Sequence, residues 1–219
     1  MIFVKFSNER NPDKRIFTVL TDTNNGISVK KFAATKKAVE YIKNLKSNEQ
    51  KLADIYTDEF NIPSCTIEND YAEFDFISGK PLSALIDKHI AKKQMDELYN
   101  DLDILKKAIN RLSANEPFTP SAEFTQYFGE YDFTKPLTAS KYSFIDLIAD
   151  NLIINDKINI IDYEWTFDFS VPVEFIAFRS LFTSKGISTL SEQDKRKVYA
   201  HLGVDYDMFD TFLNMEIAF

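Results

Sequence analysis

Apolar and polar residues are arranged in short β-type blocks at the start of the chain and at helical spacing further on. Residues 2–6 (IFVKF) and 16–21 (IFTVLT) are rich in β-branched and aromatic side chains and predict two strands. The polar stretch 7–15 joins them. Asn24-Asn25-Gly26 is a turn signal, because Asn and Gly tolerate positive φ. A third strand follows over 27–32, so the opening reads as an antiparallel meander. The period then changes. Thr35 can cap a helix in which Ala38, Val39, Ile42 and Leu45 fall on one face. The irregular stretch 54–67 predicts short strands at 55–56 and 65–67, and YAEFDFI at 71–77 alternates as a strand that Ser78-Gly79 ends. Pro81 opens a helix. Residues 92–113 form the longest helical stretch, with Met95, Leu98, Leu102, Leu105, Ile109 and Leu112 in one core-facing stripe. A loop rich in Pro and aromatic residues is expected over 116–140. Two short apolar strands, 152–154 and 158–161, flank the turn Asn155-Asp156-Lys157. Helices are predicted over 173–184, 191–201 and 205–217, and no internal repeat is visible. A β-rich third followed by a helical remainder carrying one hairpin predicts an α+β class, segregated rather than alternating.

The composition narrows the partners. The net charge is −8, whereas a nucleic-acid binder needs a basic face to neutralise phosphates, so DNA and RNA are not expected as main partners. A nucleotide is compatible with this charge, because its phosphates need only one or two cations and a metal. Cys65 is the only cysteine, which excludes an intrachain disulfide and fits a reducing, cytoplasmic setting. No stretch of about 20 residues is free of charge, so no transmembrane helix is expected. The opening MIFVKFSNER is too short an apolar run for a signal peptide. His89 and His201 are far apart with no metal or triad pattern. Asp205, Asp207 and Asp210 read as a helix cap.

The chemistry-bearing segment is 144–165, FIDLIADNLIINDKINIIDYEW. Asp146 is followed by Asn151 on a tight loop, then a hairpin, then Asp162 directly after INII. Phosphoryl transfer needs a carboxylate that orients the attacking hydroxyl and hard oxygen ligands that hold Mg²⁺ against the phosphates. One Asp, one Asn and a second Asp in this order can supply those groups.

DLIADN resembles the tail of the kinase catalytic loop, and IDYEW resembles the Ile-Asp-Trp/Tyr-Glu segment of aminoglycoside and choline kinases. The resemblance implies a protein-kinase-like fold, with an N-lobe over 1–77 and a helical C-lobe over 78–219 carrying the catalytic loop and metal-binding hairpin. It implies that Asp146 orients the hydroxyl or acts as base, and that Asn151 and Asp162 ligate Mg²⁺. Val29-Lys30 resembles the end of the Val-Ala-Ile-Lys strand, so Lys30 would contact the phosphates of ATP, with Lys31 the alternative one register away. Glu40, or Glu49, would hold that lysine. EFDFISG resembles the inter-lobe connector, so the backbone of Asp75, Phe76 and Ile77 would meet adenine. Glu174 would brace the catalytic loop. SNER, FTPSAEFTQYFG, IDYEWTFDFSVPVEFIAFR and NMEIAF resemble the kinase-like modules associated with bacterial surface-polysaccharide glycosyltransferases and methyltransferases. That resemblance implies a glycan or small-molecule acceptor and a glycosyltransferase or methyltransferase partner.

Two departures stand out. Phe144 occupies the place of the catalytic-loop His, and the first hairpin loop carries no glycine. Ser7, Asn8 and Arg10 would then meet phosphates by side chain. The loop also opens an alternative reading: a catalytically weak or inactive module that binds nucleotide or a glycosyltransferase partner.

Overall fold

The structure, a computed structural model, describes residues 3–24 and 26–219; Met1, Ile2 and Asn25, the last two expected in the first strand and the first turn, lie outside it. In chain order the elements are β1 (Phe3–Phe6), β2 (Ile16–Thr23), β3 (Gly26–Ala33), α1 (Val39–Ala53), β4 (Phe60–Asn61), β5 (Cys65–Glu68) and β6 (Tyr71–Asp75). Then come β7 (Lys80–Pro81), α2 (Leu82–Ala91), α3 (Met95–Arg111), β8 (Ser113–Pro117), α4 (Ala122–Phe128), β9 (Thr138–Ser140) and β10 (Ser143–Phe144). The chain closes with β11 (Leu152–Ile154), β12 (Ile158–Ile160), β13 (Thr166–Phe167), α5 (Val173–Phe182), α6 (Lys185–Ser188), α7 (Glu192–His201) and α8 (Phe209–Ala218). This is an α+β chain with a β-rich N-terminal sheet and a helical C-terminal part. Among the described residues no helix is long and apolar enough to cross a membrane.

Two units pack internally. The first is Met1–Gly79 with Asn155–Glu164. Its sheet runs β1-β2-β3-β6-β5, antiparallel throughout. Strand alternation gives the sheet two different faces. On one, Phe6, Phe17, Phe32 and Tyr71 stand opposite one another across four strands, with successive ring centroids 5.5, 5.0 and 5.0 Å apart. Such cross-strand aromatic pairs fix register as well as adding stability. On the other face Ala72 and Cys65 are buried, and α1 packs against β5 and β6 through its own buried Ile42, Leu45 and Leu52. Thr35 caps as expected: its hydroxyl accepts the Ala38 N–H at 3.2 Å, closing a 3₁₀ turn that leads into α1. The strand expected at 55–56 lies at Phe60–Asn61 instead, because the amides of Ile55 and Tyr56 turn back to the Leu52 carbonyl and finish the helix. β12 runs parallel to β4, with Ile158 opposite Phe60.

The second unit is Lys80–Ile154 with Trp165–Phe219. Leu98, Leu102, Leu105, Ile109 and Leu112 are buried, as the stripe predicts. α5 is buried on most sides, and its Phe175 and Phe178 join Phe124, Phe128, Phe144 and Phe212 in an aromatic core. The stretch expected to be a loop over 116–140 contains α4. Its start is capped by Ser121, whose hydroxyl accepts the Phe124 N–H at 3.2 Å, and Phe124 stacks on Phe128 one turn later at 5.1 Å. A seven-residue helix between Pro-rich flanks gives too short a pattern to read from periodicity. The helix expected over 173–184 stops at Phe182, and Ser184 caps the separate turn α6. α6 lies close to α2: the Gly186 amide donates to Asp87 Oδ1, and a Cβ at Gly186 would fall 2.3 Å from that oxygen.

Candidate functional site

In the first unit the chemistry gathers around Lys31. Strand alternation places Lys30 and Lys31 on opposite faces of β3. Lys30 lies on the aromatic face, where it pairs with Glu73 at 3.2 Å and sits over the Tyr71 ring at 4.7 Å. Lys31, the alternative, is the buried one: its ammonium lies 2.5 Å from Asp162 Oδ1 and 2.9 Å from Glu164 Oε2. Of the two lysines the sequence left open, Lys31, the alternative, is the one that meets Asp162 and Glu164, and Lys30 is not. Burial alone would push the Lys31 ammonium toward neutrality, but the charges and hydrogen bonds of the two carboxylates more than offset it and hold it above the ordinary lysine range. The same ion pair holds Asp162 below the ordinary carboxylate range against the opposing effect of burial.

Asp162 adopts a left-handed backbone, φ 56°, which is uncommon for a residue with a side chain and clusters at functional sites. The segment around it is fastened twice: Asn48 of α1 donates to the Tyr163 carbonyl at 3.1 Å, and the buried Tyr163 hydroxyl donates to the Pro63 carbonyl at 2.8 Å. The helix thus reaches the site through Asn48, which nothing in the sequence singled out. Neither expected acid reaches the lysine. Glu40 is exposed and pairs with Lys43 at 2.7 Å, while Glu49 pairs with Lys46 and accepts the Cys65 amide at 2.8 Å. Glu164 takes that place.

The loop before β2 divides its expected roles. Ser7 is buried and bonds both backbone groups of Ile16, closing the loop on itself. Asn8 is exposed. Arg10 pairs with Glu164 Oε1 at 2.8 Å. Asp75 ends β6 opposite Ser28, and Phe76 and Ile77 lie past that last ladder pair, with Phe76 exposed. Cys65, on the buried face, has its thiol pushed up to about 11, mainly by burial. At pH 8 roughly one thiol in a thousand would be ionised. We expect a thiol-specific disulfide reagent to leave native protein unlabelled over minutes at pH 8 and to label one thiol per chain in denaturant; rapid native labelling would contradict this burial.

In the second unit the catalytic-loop candidates are held by α5 and α8. Asp146 Oδ1 lies 2.5 Å from Arg179 Nη1, and the same Nη1 donates to the Ile145 carbonyl at 2.9 Å. Arg179 Nε donates to Glu216 Oε2 at 2.8 Å, and its guanidinium lies 5.7 Å from the Phe219 ring. Ser180 donates to the Leu147 carbonyl. Asn151 is buried in a 3₁₀ turn, Ala149–Asn151, and its amide nitrogen donates to the Asp146 carbonyl at 2.9 Å. A carbonyl can only accept, so this bond identifies the nitrogen end of the amide and leaves Oδ1 as its acceptor end. Glu174 does not brace this loop; both its oxygens accept the Thr138 amide, at 3.1 and 3.0 Å. The brace is Arg179, the last residue of the IDYEWTFDFSVPVEFIAFR segment, which carried no signal of its own. His89 and His201 each pair with an aspartate of α3, Asp101 at 2.6 Å and Asp103 at 2.7 Å.

No protein-family model and no curated protein matches this sequence. Solved structures do resemble it. A type I macrolide 2'-phosphotransferase is similar over 98% of this chain and 83% of its own, at 10% identity and a TM-score of 0.50. A macrolide 2'-phosphotransferase from Brachybacterium faecium, an apoenzyme, is similar over 97% of this chain and 82% of its own, at 9% identity and a TM-score of 0.49. The ternary complex of streptomycin and ATP with APH(2")-IIa gives 12% identity and a TM-score of 0.47 over 99% of this chain and 81% of its own. The first of these likenesses shows the fold, which is protein-kinase-like.

Proposed function

We propose that the protein is an ATP- and Mg²⁺-dependent phosphotransferase that acts on a hydroxyl of a small molecule or glycan. The observation that carries this reading is the buried Lys31, a third-strand lysine bonded to the acid that follows the hairpin, in a kinase-like fold. Lys31 would neutralise phosphate charge, and Asp146, anchored by Arg179, would orient the acceptor hydroxyl. The donor chemistry suits Mg²⁺. The metal prefers hard oxygen ligands and takes few from protein, keeping the rest for phosphates and water. The Asp162 side chain is 44% exposed and the Asn151 amide presents Oδ1 as its acceptor end; by the motif resemblance these are the residues that would hold the ion. When bound, Mg²⁺ would neutralise charge developing on the phosphates. The motif resemblance favours an acceptor in bacterial surface-polysaccharide synthesis.

A second reading, a catalytically weak module that binds nucleotide or a glycosyltransferase partner, is favoured by one observation. Ser7 spends its hydroxyl on Ile16 in a loop without glycine. Calorimetric titration of ATP separates the phosphotransferase reading from a module that binds only a partner protein. We expect wild type to bind ATP more tightly with Mg²⁺ than without. Asp162→Ala should lose that gain, about 10-fold or more, while metal-free ATP binding is kept, because Lys31 is released from a competing anion. No ATP binding by folded wild type would discard the phosphotransferase reading in favour of the partner-binding one.

A further inference from the structure

Glu164 has a buried carboxylate, 5% exposed, and its two oxygens do different work: Oε2 takes Lys31 at 2.9 Å and Oε1 takes Arg10 at 2.8 Å. One acid therefore ties a strand lysine to an arginine from a loop far away in sequence. Lys31 has two acidic partners of unlike character. Asp162 is half exposed and available to another cation, whereas Glu164 is enclosed, and its segment is pinned through the Tyr163 carbonyl and hydroxyl. If Asp162 turns to a metal, Glu164 still holds Lys31 in place.

We propose that Glu164 is the positioning residue of the phosphate site: its single carboxylate fixes Lys31 and Arg10 at a set spacing, as a two-cation cradle for a nucleotide's phosphate chain. This rests on the nucleotide reading above. It assigns to Glu164 the task that Glu40 and Glu49 do not perform, and it gives the glycine-free loop a way to meet phosphate, through Arg10 held from behind. The cost of ordering two long cationic side chains is met before the ligand arrives, which is where a pre-organised site gains affinity.

The direction of the effect makes the proposal testable. Deleting an anion beside two cations would, by Coulomb's law alone, tighten binding of a polyanion. A positioning role predicts the reverse. Titrations with ATP plus Mg²⁺ and, separately, with adenosine are made on wild type, Glu164→Gln, Arg10→Met and the double variant. We expect Glu164→Gln to weaken ATP binding about 10-fold or more and leave adenosine binding unchanged. The double variant should be no weaker than the weaker single variant, since both act through one cradle. ATP affinity in Glu164→Gln equal to or tighter than wild type overturns the proposal, as does full additivity with Arg10→Met. If Glu164→Gln does not fold, Glu164→Asp decides: it keeps the charge but is one methylene too short to span both cations, so the same loss is expected, and affinity within about twofold of wild type overturns the proposal. Failure of wild type to bind ATP is visible before any variant is made; it removes the nucleotide reading and this proposal with it.

Discussion

Arg179→Met is expected to lower the unfolding free energy by about 3 kcal/mol and to cut any ATP turnover about 100-fold. The stability loss follows from which charges are left behind. Arg179, Asp146 and Glu216 have side chains only 13%, 18% and 18% exposed. Removing one partner from a largely enclosed ion network leaves uncompensated charge, which costs about 3–5 kcal/mol where burial is complete; residual exposure places this case at the lower end. The turnover loss follows from geometry. Arg179 Nη1 bonds both the Asp146 carboxylate and the Ile145 carbonyl, so it sets the loop and the side chain together. A displacement of about 1 Å of a reacting group can cost about 100-fold. Arg179→Lys should recover only part of either, because one ammonium cannot reproduce a planar fork across three acceptors.

The stability loss should depend on pH in a defined direction. Burial raises the Glu216 pKa, and Arg179 works against that rise. Without the guanidinium the folded-state pKa moves further up. An acid whose folded pKa exceeds its unfolded value binds more protons in the native state, so stability falls as pH rises through that window. Urea unfolding of Arg179→Met should therefore show a smaller deficit at pH 5 than at pH 8. Adding Glu216→Gln should flatten this dependence. A variant as stable as wild type at pH 8 would mean that the loop holds Asp146 without help from α5.

How legible each part was depends on how local its cause is. The helices and the stripe of α3 were readable because periodicity and burial coincide along one segment. Asp146, Asn151 and Asp162 stood out as candidates because they fall in one short window of the chain. The parts played by Glu164, Asn48 and Arg179, and the pairing of Arg10 with Glu164, were not readable, since such roles come from bonds spanning 34 residues between Arg179 and Ile145 and 115 between Asn48 and Tyr163. A buried Arg or Asn looks the same in sequence as an exposed one. The α1 glutamates misled for the same reason: Glu40 has the right residue type on the right helix, but it stands on the solvent side beside Lys43. Which of Lys30 and Lys31 is buried was hidden for a different reason. Alternation identifies the buried face only when the other face is polar. Here the face bearing Lys30 carries Phe17, Phe32 and Tyr71, so both faces of β3 look apolar and the parity signal cancels.

That parity leads to the sharpest contrast between two adjacent residues. Lys31→Met is expected to weaken binding of ATP with Mg²⁺ about 100-fold, whereas Lys30→Met should leave it within about twofold of wild type. Lys31 is buried and bonded to both Asp162 and Glu164, so its loss removes the cation proposed to meet phosphate and leaves two carboxylates repelling each other and any incoming polyanion. Lys30 lies on the opposite face of the strand, paired with Glu73, which is itself bonded to Ser28 at 2.6 Å. Exposed pairs of this kind add little, and methionine keeps the aliphatic stem that covers Tyr71. Calorimetric titration of both variants at one salt concentration separates the two faces. If Lys30→Met loses binding and Lys31→Met keeps it, the nucleotide's phosphates lie on the aromatic face of the sheet, and the cluster around Asp162 and Glu164 is a structural ion network rather than a phosphate site. If both variants bind like wild type, neither lysine contacts phosphate and other groups hold the nucleotide. Loss confined to Lys31→Met ties the buried ion network to the nucleotide, because the two residues share a strand, a charge and nearly a position, and differ only in which side of the sheet they face.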